Sequence, residues 1–392
     1  MGSFLHFSKK DKQIKIDMQL YFRLLITFCL INIVAYTQKF SNSLVNIGDP
    51  APPLRVQHWI KGTPFNEFEK EKIYVVEFWA TWCRPCKAGM PLLSALARKY
   101  RDNVIVLGID IFETKTTTLD KIKSFVDSMG GHMDYSVAVA DSNYMEHDWL
   151  SATGEINMGI PRAFIVDRDG RLAWMGHPCD NFEDALFKIV NNTWDISEAL
   201  AKRNLEFRLR KLDDSLTEVL EFAPNGNFRS DSWKKDSALV LIDEIAKTEP
   251  LVKYTPRIAY QIFSFLLKTN MKMAYEYGKK VIETTTYEKP AGFIIIGAIE
   301  DFSKEITLMQ EIYKLGIEAI QVELNEALSC FPEIRNIYKR YYKMSEWYWL
   351  INNKSKAIET LERAIETLKR EKDFSEIDLT EFESRLREYK RI

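Results

Sequence analysis

Cysteine is scarce in this 392-residue chain: Cys29, Cys83, Cys86, Cys179 and Cys330 are the whole supply. Five is too few for a disulfide-stapled scaffold, and only Cys83 and Cys86 stand close together, so thiol chemistry centres on that pair. Positive charge is not in excess either. A net charge of -2 leaves no surplus to neutralise a phosphate backbone. No lysine or arginine stripe alternates with aromatics, and nucleic acid is excluded as a partner. A membrane-spanning helix needs about 20 apolar residues; the longest apolar stretch, Tyr21 to Tyr36, falls short of that. With 13 prolines, 16 glycines and 46% apolar residues, the composition is that of a folded protein, and the length exceeds one ordinary core.

What is present begins with an address. Leu24 to Ala35 is almost wholly apolar, follows Arg23 and a lysine-rich lead, and ends at Ala35-Tyr36-Thr37, where small residues suit cleavage. Residues 1–37 therefore read as a signal peptide with an extended lead, within which Met18 is an alternative start. The expected location is periplasmic or exported, and the alternative is an inner-membrane anchor formed by an uncleaved N-terminal segment. Cys29 is a weak lipid-anchor position because bulky Phe28 precedes it.

Residues 38–194 carry a mixed pattern. Ile47 to Pro52 reads as an extended lead-in, Lys72 to Ala80 as a strand, Pro85 to Arg101 as a helix and Val104 to Asp110 as a buried strand. A helix from Thr118 to Met129, a strand from Val137 to Ala140 and an irregular stretch to Met158 follow. Ala163 to Val166 and Leu172 to Met175 form a hairpin about Asp169-Gly170, closed by a helix from Asn181 to Val190. The order βαβα then ββα predicts a mixed sheet with helices on both faces. From residue 195 to 392 helical periodicity takes over, with breaks at Pro224-Asn225-Gly226, Pro250, Pro290 and Pro332, and about eight helices are expected. In one pair, Ile337 to Leu350 and Lys354 to Lys369, Tyr341, Tyr348, Ala357, Leu361 and Ala364 stand at tetratricopeptide-repeat spacings; Ala274 and Val281 echo it partly. The expectation is a divergent, TPR-like helical-hairpin domain, with Tyr338 to Trp349 as helix-pair core.

The chemistry lies in Trp82-Cys83-Arg84-Pro85-Cys86, between a strand and a helix. Cys83 falls at the helix N-terminus, where unpaired backbone N–H groups and the macrodipole favour a thiolate, which makes it the attacking sulfur. Cys86, one turn on, is placed to resolve the mixed disulfide. Pro85 suits the first helical turn and Arg84 adds positive charge beside the thiolate. A zinc site would need further ligands from Cys179, Cys330 or a histidine, none at ligand spacing. A c-type haem would need histidine where Lys87 stands, and a peroxiredoxin would need a proline and a hydroxyl residue where Val76 and Ala80 stand. No metal or cofactor is expected. Pro91 should kink its helix, and Cys179, after His177-Pro178, reads as an inert thiol rather than a third redox cysteine, as does Cys330.

The segment Glu77 to Lys87, with Pro91 after it, resembles the thioredoxin superfamily, and specifically its exported TlpA-like branch. Gly48 to Pro52 and Gly159-Ile160-Pro161-Arg162-Ala163-Phe164-Ile165-Val166-Asp167-Arg168-Asp169-Gly170 match that branch in order and spacing, over residues 46 to 192. The resemblance implies an α/β thioredoxin fold, dithiol-disulfide exchange and a substrate docked beside a cis-proline, here Pro161. Ile160 would then offer its backbone to an extended substrate strand, with Trp82, Arg84 and Pro85 flanking it. Signal, thioredoxin domain and added helices recur together in Bacteroidetes-type proteins of this branch. Glu77 stands where thioredoxins carry a buried aspartate under the second cysteine, and by resemblance it is the proton relay for Cys86; the alternative is a strand acid facing water. Many relatives carry an acid three residues after the second cysteine, where this chain has Gly89. The implied partners are exported protein substrates with disulfides, a membrane or periplasmic electron-transfer partner, and a protein docked on the helical domain. The other reading is a binding or scaffold protein whose thioredoxin module is regulatory or vestigial.

Overall fold

The computed structural model of the protein describes residues 44–221, 242–287, 292–330, 337–371 and 376–391. The N-terminal address, Met18, Cys29 and the breaks at Pro224, Pro290 and Pro332 lie outside them. The side chain of Cys330 does too. Among the described residues no helix is long and apolar enough to cross a membrane. The described chain falls into two compact units, one of residues 44–204 and 313–392, the other of residues 205–312.

In the first unit the elements run β1 (Val56–Lys61), β2 (Ile73–Trp79), α1 (Arg84–Lys99), β3 (Val104–Asp110), α2 (Leu119–Met129), β4 (Ser136–Ala140), β5 (Arg162–Val166), β6 (Leu172–Gly176), α3 (Phe182–Val190) and the start of α4 (Ile196–Glu221). The six strands form one mixed sheet in the order β1-β4-β3-β2-β5-β6. β2 and β3 pair in parallel over seven residues, from Ile73 with Val104 to Trp79 with Asp110. β5 pairs antiparallel with β2 on the other side. This is the α/β thioredoxin arrangement. β1, which the sequence pattern did not announce, is an irregular edge strand paired antiparallel with β4. The stretch to Met158 is not structureless, since it holds short helical turns at Ser142–Met145, Glu146–Ser151 and Ile156–Met158.

Strand alternation sends the residues of β2 to two cores. Ile73, Val75 and Trp79 join Met90, Leu93 and Leu96 of α1, Ile122 and Val126 of α2, and Phe182, Leu186 and Ile189 of α3. Tyr74, Val76 and Phe78 join Ile47 and Leu54 of the lead-in and Met145, Trp149 and Leu150 of the helical turns, with Ile196, Ala199 and Leu200 of α4 packed against them. Helices thus cover one face, and lead-in, turns and α4 cover the other. Composition placed a domain boundary near residue 195; the division into units falls at Asn204 and Leu205, inside α4.

The C-terminal helices include a hairpin of α9 (Ile337–Leu350) and α10 (Lys354–Lys369), preceded by α8 (Gln310–Cys330) and followed by α11 (Glu376–Arg391). Tyr341, Tyr348, Ala357, Leu361 and Ala364, the positions marked by their spacing, are all buried. The turn uses Asn352 at φ 61°, and Asn353 caps α10 by accepting from the Lys356 N–H. Tyr342 stacks on Phe382 and Trp349 on Tyr389 of α11, at 4.0 and 3.9 Å between ring centroids.

In the second unit, α4 contributes Leu212 and Leu216 to a core with Ile245, Val252 and Ile258. Here α5 (Pro256–Thr269), α6 (Met271–Glu283) and α7 (Gly292–Phe302) follow. Helix α5 begins at Thr255, whose own side chain makes no capping bond to the helix. Asp213, fully buried on α4, does that work: its carboxylate accepts from the N–H groups of Arg257 and Ile258 at 3.1 and 3.0 Å and from the hydroxyls of Thr255 and Tyr287 at 2.7 and 2.5 Å. Asp213→Ala takes the acceptor from the buried Thr255 hydroxyl and Ile258 N–H and from the less buried Arg257 N–H and Tyr287 hydroxyl, and should cost this unit about 3 kcal/mol. Amide exchange should accelerate in peptides from 242–287 and stay unchanged in the sheet; unchanged exchange in 242–287 would remove Asp213 as the cap.

Candidate redox site

β2 ends at Trp79, and the chain turns through Ala80-Thr81-Trp82 into α1. Cys83 is the helix N-cap: its extended backbone (φ -72°, ψ 103°) turns the sulfur back over the first turn, where Sγ accepts from the Cys86 N–H at 3.2 Å. Pro85 occupies the first turn at no loss of a backbone donor. Cys83 and Cys86 form a disulfide with Cα atoms 5.4 Å apart, and both are buried. Arg84 and Pro85 are exposed, and Trp82 is 52% exposed, its indole N–H donating to the Phe112 carbonyl at 2.9 Å. Trp79 is wholly buried and stacks on Phe125. Pro91 lies inside α1.

The second half of the site comes from the loop before β5. The Ile160–Pro161 peptide bond is cis, and the Ile160 carbonyl lies 3.7 Å from Cys83 Sγ. The structure thus brings Cys83, Cys86, Ile160 and Pro161 together, although Pro161 is 75 or more residues away along the chain from either cysteine. Cys179 is half-buried and its N–H lies 3.3 Å from His177 Nδ1.

Glu77 does not face water. It is 1% exposed, on the same face of β2 as Val75 and Trp79, the face that packs on the helix bearing Cys86. Burial without compensation pushes its carboxyl up to about 8, and Oε2 has no hydrogen-bond partner among the described residues. Opposite it in the β2–β3 register is Gly108, where a Cβ would lie 3.0 Å from the Tyr135 ring and 3.1 Å from Trp79 Nε1. The Tyr135 hydroxyl, buried beside this spot, is raised well above its ordinary value by burial and by the charge of Glu77.

Two acids that sequence reasoning passed over stand under the turn before Cys83. Asp110 ends β3, and Glu113 Oε1 accepts from the Thr81 N–H at 2.5 Å. Burial first, then the charge of Glu113 and a hydrogen bond shared with it, push Asp110 up to about 9. The signal for Asp110 was of the same kind as for Glu77, an acid within or at the end of an otherwise apolar run.

The thioredoxin family profile matches residues 58–125. The protein FixW of Rhizobium leguminosarum is 33% identical over 159 residues, covering 40% of this chain and 71% of FixW. The thiol-disulfide oxidoreductase ResA of Bacillus thuringiensis is 29% identical over 161 residues, 39% of this chain and 85% of ResA. A solved thiol-disulfide isomerase from Corynebacterium glutamicum is 24% identical, with a TM-score of 0.31, covering 38% of this chain and 97% of that one. The chain belongs to the thioredoxin family. It is a thioredoxin-like protein-disulfide oxidoreductase, and the family profile falls in its sheet-bearing part.

In this thioredoxin site the two raised carboxyls set a pH dependence of stability. Glu77 and Asp110 hold protons in the folded protein at pH values where the unfolded chain has released them, so folding takes up protons and stability falls as pH rises. For Glu77 the window runs from its ordinary value of 4.5 to about 8, and for Asp110 from 3.8 to about 9; below both windows the penalty is absent and above them it is complete. Within its window each group should lower the unfolding free energy by up to about 1.4 kcal/mol per pH unit. Urea unfolding of the oxidised protein between about pH 5 and 9 checks this, and Glu77→Gln should flatten the slope below about pH 8. An unaltered slope in Glu77→Gln would show that the buried carboxyl titrates as it does in the unfolded chain.

Proposed function

We propose that the protein exchanges dithiols and disulfides with exported proteins, Cys83 attacking and Cys86 resolving. The observation that carries this reading is the position of Cys83 Sγ, at a helix N-terminus within reach of a backbone N–H and beside the carbonyl before a cis-proline. In the reducing direction the Cys83 thiolate attacks a substrate S–S bond, forming a mixed disulfide and releasing one substrate thiolate, which takes up a proton. Cys86 then gives its proton to Glu77 and attacks Cys83 Sγ. The Cys83–Cys86 disulfide forms and the second substrate thiolate leaves. The pair is returned to the dithiol by an electron-transfer partner in the membrane or periplasm. Reversal of the same steps oxidises a substrate dithiol.

The Ile160 carbonyl and the exposed faces of Trp82, Arg84 and Pro85 would receive the substrate as an extended strand. The relatives' names support the exchange chemistry, and the apolar segment near residue 30 supports export. The helices after residue 205 contribute surface for a protein partner in this reading, since among their described residues neither sequence nor packing offers a second reactive constellation.

Two measurements test the assignment. Brief iodoacetamide treatment of the reduced protein at neutral pH should label Cys83 before Cys86, and Cys86→Ser should accumulate a mixed disulfide on Cys83 with insulin; labelling led by Cys86 or Cys179 would overturn it. Glu77→Gln should slow the resolving phase about tenfold or more while leaving the attack phase unchanged, because only Cys86 needs the nearby base. In the unsubstituted protein that phase should quicken as pH approaches 8, where the buried carboxyl begins to accept protons.

A further inference from the structure

The cis-proline loop is held from behind by a buried ion-pair cluster that reaches into α4. Glu155 and Arg162 are buried, at 6% and 5% exposure, on either side of the loop. Glu155 Oε2 lies 3.2 Å from Arg162 Nε, and Arg162 Nη2 donates to the Met158 carbonyl at 3.2 Å. The other oxygen of Glu155 is taken by Arg203 of α4: Nη1 donates to Glu155 Oε1 at 2.8 Å, and Nη2 donates to the Thr153 carbonyl at 2.6 Å. A guanidinium can bridge a carboxylate and a carbonyl in this way because its donors are fixed in one plane. Beside this cluster, Ile196, Ala199 and Leu200 of α4 pack on the same core as Ile156 and Ile160.

We propose that Arg203 is a positioning residue for substrate docking, fixing the loop whose Ile160 carbonyl and Pro161 flank Cys83. The argument is a chain of contacts. Arg203 holds Glu155 and the Thr153 carbonyl; Glu155 holds Arg162; Arg162 and Met158 close the loop around Ile160; and the Ile160 carbonyl stands 3.7 Å from the attacking sulfur. Arg162 directly follows the cis-proline and is the first residue of β5. Removing Arg203 leaves the Glu155 carboxylate buried with one charge partner fewer, and the loop then has reason to swing towards water. Cys83 caps a different element, α1, and Cys86 lies in its first turn, where the backbone donors do not depend on the loop. Docking should suffer and the intrinsic reactivity of Cys83 should not. A catalytic unit cut at residue 194 lacks this arginine.

The proposal rests on Cys83 being the attacking sulfur and on Ile160 receiving the substrate, and its test separates the two. In the full-length protein, Arg203→Ala should raise KM for insulin reduction with dithiothreitol about tenfold, with kcat and the iodoacetamide rate at Cys83 within about twofold of the original. Glu155→Gln should do the same, and the double variant should be no worse than either single one, because both remove one network. Arg203→Lys, which keeps a charge but not the planar fork, should fall between, and it decides the matter if Arg203→Ala does not fold. Hydrogen exchange in peptides spanning 153–162 reads the restraint without any substrate: it should accelerate in Arg203→Ala and stay unchanged in α1. An unchanged KM together with unchanged exchange in 153–162 would overturn the proposal, and so would a loss of Cys83 reactivity in step with KM. Failure of the unsubstituted protein to reduce insulin would count against the proposed function, while the exchange result would still decide the role of Arg203.

Discussion

The site depends on the parallel pairing of β2 with β3. That ladder runs seven residues without a register shift, and it fixes the point at which β2 stops and α1 starts. Because Trp79 lies level with Asp110, the turn that follows one strand meets the loop that follows the other: the Ile111 N–H donates to the Trp79 carbonyl, Glu113 takes the Thr81 N–H, and the Phe112 carbonyl takes the Trp82 indole. Three hydrogen bonds thus clamp the four residues leading to Cys83. A slip of one residue in that ladder would send Glu77 to the opposite face and Trp79 out of its core.

The buried acids express the tension in such a site. A carboxyl in the interior costs free energy unless it is paired, and among the described residues no cation pairs with Glu77. A fold under selection for stability alone would place an apolar residue there. Keeping an ionisable group against the face that carries Cys86 makes sense where a proton must come and go out of reach of water, and a carboxyl held near 8 is matched to the titration range of a thiol.

Much of this was legible in the sequence, and the omissions have physical causes. The β2, α1 and β3 limits follow from runs whose residues are almost all apolar or apolar at helical spacing, and the α9–α10 hairpin follows from two tyrosines, two alanines and a leucine at repeat spacing, all of them buried. β1 escaped because Val56-Gln57-His58-Trp59-Ile60-Lys61 is an edge strand with two register shifts, which erase alternation. Which way Glu77 points was not readable either, since every residue of β2 is buried and a strand buried on both faces has no polar side to mark it. The cysteine pair was plain from spacing; the cis-proline needed the family resemblance; Arg203 gave no local signal, because its partners lie 48 and 50 residues earlier.

The two margins of the sheet have a consequence of their own. At one margin β1 is short, carries His58 and Lys61, and is broken by two shifts. At the other, the lead-in bonds across the start of β6: the Gly48 N–H donates to the Leu172 carbonyl, and the Leu172 N–H donates to the Asp49 carbonyl. Neither margin offers a long, flat row of unpaired backbone groups. A protein-disulfide oxidoreductase works on chains whose cross-links are changing and whose strands are open to a neighbour. With its own edges blunted, this sheet is a poor template for such strands.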